Sequence, residues 1–472
     1  MLDDLQSALG PVLTRWTTGG MAAQAAPEEW RAAIGSSGAD AELALLALAG
    51  QLLGAMTVAQ PTDDLGPLPD FPALPLPPVP ELVRPLARRL VAATRGGGQR
   101  RSLLDFLAAR GWTMHPGDWM PEANDEDIPD VYAPWRDWAA LATGDTAALP
   151  GELLSEESWN DFGPAGRAAA LVRLRGDDPE AARRLLEARI GGEPADSRLR
   201  LATALGARLS DQDRSFLETL LSDRAPKVKA LAATLLARLG HRGELGKDAA
   251  ELAGFFTVET RGLLRRTRII VPRTLKTPAQ RQRRQELLTR IDYPAFAAAL
   301  EVDPLGAAAM WSWGADYQAD EGIAAMIAAS APDAVVQTAV ETLRNRGAES
   351  AANLALLLPR LTEPERREVA EALLRTRGVS FADAASIGAG LCRIADPMRV
   401  PAGAALLTLL IADEAGKSAA AAAELQALGL VASREGARRA IERLGQTGML
   451  AADPRLDMLR LNAALDDTGE TS

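Results

Sequence analysis

The sequence predicts an all-α fold of stacked antiparallel helix pairs. Three observations point there. Ala and Leu dominate a hydrophobic content of 47%, while aromatic residues make up 4%. From Asp178 to Gly240, short amphipathic helices follow one another with turn signals between them. Part of that run echoes itself at an offset of about thirty residues. Nothing reads as a strand for longer than Arg268 to Val271.

The run can be justified element by element. Val228, Leu231, Ala232, Leu235, Leu236 and Leu239 share one helix face, with Lys227, Lys229 and Arg238 outside it. Pro226 stands in the first turn, where its missing N–H costs nothing, and Gly240 ends the helix. The preceding helix starts at Ser210, with Asp213 in the acidic position of a capping box, and buries Phe216, Leu217, Leu220 and Leu221. One pair earlier, Asp178 and Pro179 open a helix carrying Ala182, Leu185, Leu186 and Ile190. Arg198 to Leu209 follows, with Leu201, Ala202, Leu205 and Leu209 inward. Ser197–Leu209 overlays Pro226–Leu239. A tetratricopeptide unit wants aromatic residues at fixed helix positions, and the chain has 3 Tyr, so the expectation is an irregular HEAT-like α-solenoid, with a plain helical bundle as the alternative.

Along the chain the expected organisation is an N-terminal helical subdomain over 1–59, a Pro-rich extended linker over 60–80, and a helical segment with an acidic Trp-rich loop over 81–158. The repeat core spans 159–260, a basic segment 261–290, C-terminal helical repeats 291–462 and a disordered tail 463–472. The linker holds eight prolines, which exclude a helix and read as a spacer rather than a polyproline ligand. Leu43–Ala59 is interrupted by Gly50, Gln51 and Gly54 and is short for a membrane span. The N-terminus lacks a basic signal-peptide region, and a lone Cys392 suits a reducing compartment, so the expected location is cytoplasmic, with no membrane.

Charge is distributed unevenly. From Asp118 to Asp161, twelve acids face the single Arg136, with Trp112, Trp119, Trp135, Trp138 and Trp159 in or beside the stretch. From Arg261 to Arg290, ten basic residues face the single acid Glu286, in a chain of net charge −11. The partner-binding candidates are therefore Arg265, Arg266, Arg268, Arg273, Arg281, Arg283 and Arg284, with Trp112, Trp119 and Trp135 as aromatic anchors. The overall negative charge argues against a polyanion partner and for internal docking or an acidic protein. The simpler reading of the tryptophans is that they pin an irregular connection onto the helices.

Catalytic motifs fail on inspection. Gly416-Lys417-Ser418 has Ile411 where a phosphate loop needs glycine, and Gly388-Ala389-Gly390 has Arg393 where a dinucleotide fingerprint needs its third. His115 and His241 lack zinc-ligand neighbours. The expectation is a non-enzymatic protein with no catalytic residue, metal or cofactor.

The stretch Trp159–Gly240 resembles an uncharacterised bacterial HEAT-like helical-repeat family, a domain of unknown function. The resemblance is carried by Trp159, Arg167, Leu174-Arg175, Asp178-Pro179, Ala182-Arg183, Arg198, Leu209-Ser210, Asp213, Phe216-Leu217-Glu218, Leu221, Asp223-Arg224 and Lys227-Val228-Lys229. His115-Pro116-Gly117-Asp118-Trp119 departs from the family's upstream Asn-Pro-x-x-Trp step at its first residue. The resemblance implies gene settings with a MoxR-type AAA+ ATPase, a von Willebrand A protein and a SWIM zinc-finger protein, and hence a protein–protein scaffold or adaptor. The competing class is a nucleic-acid-binding HEAT-like protein such as an alkylpurine DNA glycosylase, which requires the arginines to line a groove with an aromatic residue and a carboxylate.

Overall fold

A computed structural model describes residues 2–34, 38–56, 70–94, 96–125, 127–144, 146, 148–149, 151–241, 246–261, 266–388, 390–412 and 418–465. These residues form 24 α-helices and two β-strands, so the protein is predominantly helical, as its composition predicts. The chain divides into two compact units, 1–69 and 70–472, and the boundary falls inside the Pro-rich stretch.

Among its described residues the first unit has three α-helices, Leu2–Thr17, Glu28–Ile34 and Ala39–Met56. Its small core joins Val12, Ala22, Ala26 and Leu45. Glu42 ties the helices together, accepting from Ala23 N at 2.7 Å and Trp16 Nε1 at 2.9 Å. Those two donors hold its carboxyl below the usual range.

The second unit opens with an extended strap. Val79 N–H donates to Thr113 O and Thr113 N–H to Pro77 O, each at 2.8 Å, so the prolines run alongside the turn after helix Gly97–Ala109. Residues 70–80 run without a helix, and the rest of the expected linker lies outside the described residues, as do 466–472 of the expected tail; its first residues are instead ordered, Ala463 and Ala464 ending helix Asp457–Ala464 and Leu465 buried.

Beyond the strap, one set of helices packs in sequence, each on the next: Pro164–Asp177, Ala195–Thr203, Pro226–Arg238, Tyr317–Ser330, Ala351–Leu357, Phe381–Gly388, Ala419–Val431 and Asp457–Ala464. The helices Pro179–Arg189, Arg214–Leu220, Asp333–Arg344, Glu363–Leu373 and Arg434–Gln446 each pack against a member of that set. Local chemistry explains the boundaries. Asp178 accepts from Ala181 N at 2.9 Å, Ser210 and Asp213 form the expected capping box, and Gly240 adopts φ +79° past the last turn. In helix Pro226–Arg238 the buried side chains are Val228, Ala232, Leu235, Leu236 and Ala237. Each buried leucine stabilises the packing by about 1.5–3 kcal/mol.

Two hydrophobic clusters organise this unit. One gathers residues between Ala148 and Leu236. The other joins residues 79–135 to residues 252–465, bringing distant stretches of sequence together. Arg110 Nη2 donates to Ala432 O and Arg393 Nη2 to Ala109 O, each at 2.8 Å, and these bonds close the same joint. Helix Gly97–Ala109 thus packs with the C-terminal helices as well as with the acidic stretch that follows it.

The expectation that no strand extends beyond Arg268–Val271 is corrected. Phe256–Arg261 pairs antiparallel with Thr267–Pro272, in register from Phe256↔Pro272 to Arg261↔Thr267. Both strands are rich in β-branched residues, and Phe256, Val258 and Ile270 share the face that meets the core. Glu259 and Arg261 break up the apolar pattern of the first strand, which is why it is hard to read from sequence.

Candidate protein-interaction surface

The basic segment has two parts with different electrostatics. The helix Pro278–Arg290 begins at a capping box in which Thr277 Oγ1 accepts from Gln280 N and the Gln280 side chain accepts from Thr277 N. Its Arg284, Leu287 and Leu288 are buried. Arg283 is bidentate on Glu251, with Nε to Oε1 at 2.9 Å and Nη2 to Oε2 at 2.7 Å, and it reaches Asp248 at 3.2 Å. The pairing lowers the Glu251 carboxyl and raises the Arg283 guanidinium from their ordinary values. Arg290 also meets Asp248, at 3.2 Å. Arg284 is 1% exposed and pairs with Asp316 at 2.9 Å, while Asp316 also caps helix Tyr317–Ser330. Arg283 and Arg284 therefore dock this helix onto its neighbours.

The remaining cations face outward. Arg266, Arg268, Lys276 and Arg281 are exposed, and none has a carboxylate at ion-pairing distance among the described residues. Arg281 Nη1 donates to the Leu275 carbonyl at 3.4 Å. Arg273 is exposed and donates from Nε to two neutral oxygens, Phe256 O at 3.1 Å and Thr257 Oγ1 at 3.0 Å. Arg261 pairs with Glu259 of its own strand at 3.1 Å. Arg265 lies outside the described residues.

The acidic stretch is engaged elsewhere. Asp118 pairs with Arg84 at 2.7 Å, Asp127 with Arg101 at 3.2 Å, and Asp137 with both Arg136 and Arg173 at 3.0 Å. Within the chain, the acids that meet the basic helix are Asp248, Glu251, Glu286 and Asp316 instead. Two adjoining clefts of about 490 and 840 Å³ separate residues 121–149 from the helices Pro164–Asp177 and Ala195–Thr203. Alanine and glycine line much of them, and Asp137 pairs with both Arg136 and Arg173 at their wall.

The tryptophans act as pins. Trp135 is buried and donates from Nε1 to Pro72 O at 3.0 Å, holding the strap. Trp119 is half-buried and meets Tyr132 edge-on at 5.2 Å, and Trp112 packs half-buried on the same core. Trp159, Trp311 and Trp313 are buried.

Six of the residues that carry the family resemblance, Trp159, Arg167, Arg175, Arg198, Asp213 and Asp223, take part in polar locks. Arg167 and Trp159 Nε1 both donate to Glu193, and the Arg167 guanidinium lies over the Trp159 ring at 4.9 Å. Arg175 binds Asp213, the carbonyl of Ala207 at 2.8 Å and that of Pro179 at 2.7 Å. Arg198 is bidentate on Asp223, at 2.9 and 2.8 Å. A lock of the same kind, unread in the sequence, is Arg360, which donates to the carbonyls of Ala328 and Ala331, each at 2.9 Å. Only its position before a helix-capping Thr362 could have signalled it.

Chemistry-bearing residues are otherwise engaged in structure. His115 Nδ1 accepts from Gly117 N at 3.0 Å. Cys392 is buried, and burial pushes its thiol up to about 12. Among the described residues, no three His, Cys, Asp or Glu side chains group to hold a metal ion, and no single helix is long and apolar enough to cross a membrane.

These features define a predominantly helical protein in which arginine locks join the helices between 164 and 238 and whose hairpin presents exposed basic residues. A family of unknown function (DUF5691) matches residues 134–463, and the chain belongs to it. The match runs from helix Ala133–Ala142 into the last helix, Asp457–Ala464. No curated protein and no solved structure matches.

Proposed function

We propose that the chain is a non-enzymatic cytoplasmic adaptor, an irregular HEAT-like solenoid that binds a protein partner within a MoxR-type AAA+ ATPase system. The observation that carries this reading is the split among the basic residues. Arg283, Arg284 and Arg290 are neutralised within the chain, whereas Arg266, Arg268, Lys276 and Arg281 are left for something outside it. Helices that pack each on the next leave long faces available, the usual means by which helical-repeat proteins bind.

A nucleic-acid enzyme needs an exposed aromatic beside these cations. Phe256 and Trp311, at the base of the hairpin, are buried 5.2 Å from one another, and Phe255 beside them is half-buried against the core. The net charge of −11 opposes long-range attraction of a polyanion.

The test is capture of a MoxR-type ATPase or a von Willebrand A protein from native lysate by the tagged chain, with and without nuclease, beside the Arg266→Ser/Arg268→Ser/Arg281→Ser variant. Nuclease-insensitive capture that the variant loses is the expected result. Recovery of nucleic acid alone, lost in the variant, overturns the reading.

A further inference from the structure

The hairpin has one open edge. Ser312 N–H donates to Ile270 O at 3.0 Å, so the outer side of Thr267–Pro272 is already occupied by the Trp311–Ser312 segment. The outer side of Phe256–Arg261 pairs with no other strand among the described residues. Parity decides which groups it presents. Arg273 N–H donates to Phe255 O, which makes Phe255 and Arg273 a hydrogen-bonded pair. The next such pairs are then Thr257 with Val271, Glu259 with Ile269 and Arg261 with Thr267. Val258 and Thr260 therefore direct their N–H and C=O groups away from the partner strand. Ile270, in the pair opposite Val258, bonds outward to Ser312, as the same parity requires.

Charge frames this edge. At its base Arg273 reaches Phe256 O and Thr257 Oγ1, placing a guanidinium beside the strand. At its tip stand the exposed Arg268, opposite Thr260, and Arg266. An unpaired strand edge is a template for another chain, and proteins ordinarily blunt such edges with charge or cover. Glu259 on the strand is already paired with Arg261, whereas Arg266, Arg268 and Arg273 have no carboxylate at ion-pairing distance among the described residues.

Resting on the adaptor reading, we infer that the edge Phe256–Arg261 takes an extended acidic segment of the partner protein as a third antiparallel or parallel strand. Val258 and Thr260 would supply the backbone ladder, and Arg266, Arg268 and Arg273 would meet carboxylates at either end. A nucleic acid would meet the same cations but has no use for the backbone ladder, and this difference separates the two.

The experiment is fluorescence anisotropy of the full chain with a labelled peptide of alternating Glu and Val. Its comparators are the same peptide N-methylated at alternate residues, a Gln-for-Glu peptide and a single-stranded oligonucleotide of equal charge. The protein variants are Thr260→Pro, which removes the outward N–H, and Thr260→Ala, which keeps it and controls for folding. Expected are binding of the acidic peptide and losses of about tenfold or more on N-methylation, on neutralising the peptide and in Thr260→Pro, with Thr260→Ala unchanged. Failure of the acidic peptide to bind, binding indifferent to N-methylation, or tighter binding of the oligonucleotide overturns the inference. If strand addition fails while the ATPase or von Willebrand A protein is still captured, the adaptor reading stands and only its mode falls.

Discussion

Arg175 and Asp213 form an ion pair in which both side chains are 1% exposed, joining the end of helix Pro164–Asp177 to the end of the 3₁₀ turn Asp211–Asp213. Asp213 simultaneously accepts from Ser210 N at 2.9 Å, so one carboxylate caps a turn and locks one helix pair onto the next. Removing one partner of such a pair leaves a buried charge. Arg175→Ala or Asp213→Ala is expected to cost about 3–5 kcal/mol. A urea melt of each variant checks it, and an unchanged midpoint would mean that the lock carries no stability.

The second lock makes stability depend on pH. Arg198 holds the Asp223 carboxyl below its ordinary 3.8, chiefly through their hydrogen bonds. A depressed folded pKa contributes stability that is complete above the unfolded value and is lost as pH falls through the folded one. Asp223→Asn should therefore flatten the decline in melting temperature as pH falls below about 4, relative to the parent chain. Parallel curves would remove Asp223 from the account.

Gly429 explains why a glycine sits in helix Ala419–Val431. A Cβ there would lie 2.6 Å from Met458 Cγ and 2.8 Å from the Met458 backbone of the last helix. Backbone cannot yield as a side chain does, so Gly429→Ala should destabilise by about 1–3 kcal/mol despite its better helix propensity. Thermal unfolding of the variant decides, and a rise in Tm would contradict the packing.

Cys392 should be inert in the folded protein. It is buried, and its thiol is pushed up to about 12, so little thiolate exists at neutral pH. A thiol reagent is expected to label it only after denaturant is added. Rapid labelling of the native chain would contradict this burial.

Trp135 pins the strap through Pro72 O. Trp135→Phe removes the N–H and keeps most of the ring, so protease should cut residues 70–80 faster in the variant while the helical signal is retained. Equal cutting rates would mean the strap is held by other contacts.

Much of this was legible in the sequence because helices announce themselves locally. The apolar spacing of Val228 to Leu239, the Ser210–Asp213 box and Asp178 before Pro179 are all short-range signals, and the structure follows them. What escaped depends on distant residues. Phe256–Arg261 becomes a strand only beside Thr267–Pro272, and its Glu259 and Arg261 mask the alternation. The packing of Gly97–Ala109 with the C-terminal helices rests on contacts spanning hundreds of residues, which no window of sequence contains. The basic cluster was visible as composition. Its division into docking arginines and outward ones follows from where Asp248, Glu251 and Asp316 fold, and composition does not carry that.

That division is most directly tested by comparing two triple variants side by side for thermal stability and partner capture. Arg167→Ser/Arg175→Ser/Arg198→Ser removes the locks, and Arg266→Ser/Arg268→Ser/Arg281→Ser removes the outward cations. The account predicts that the first lowers Tm by many degrees, whereas the second leaves Tm within about 2 °C of the parent and loses the captured protein. A fall in Tm of similar size in both sets, or full capture by the outward-cation variant, would contradict it.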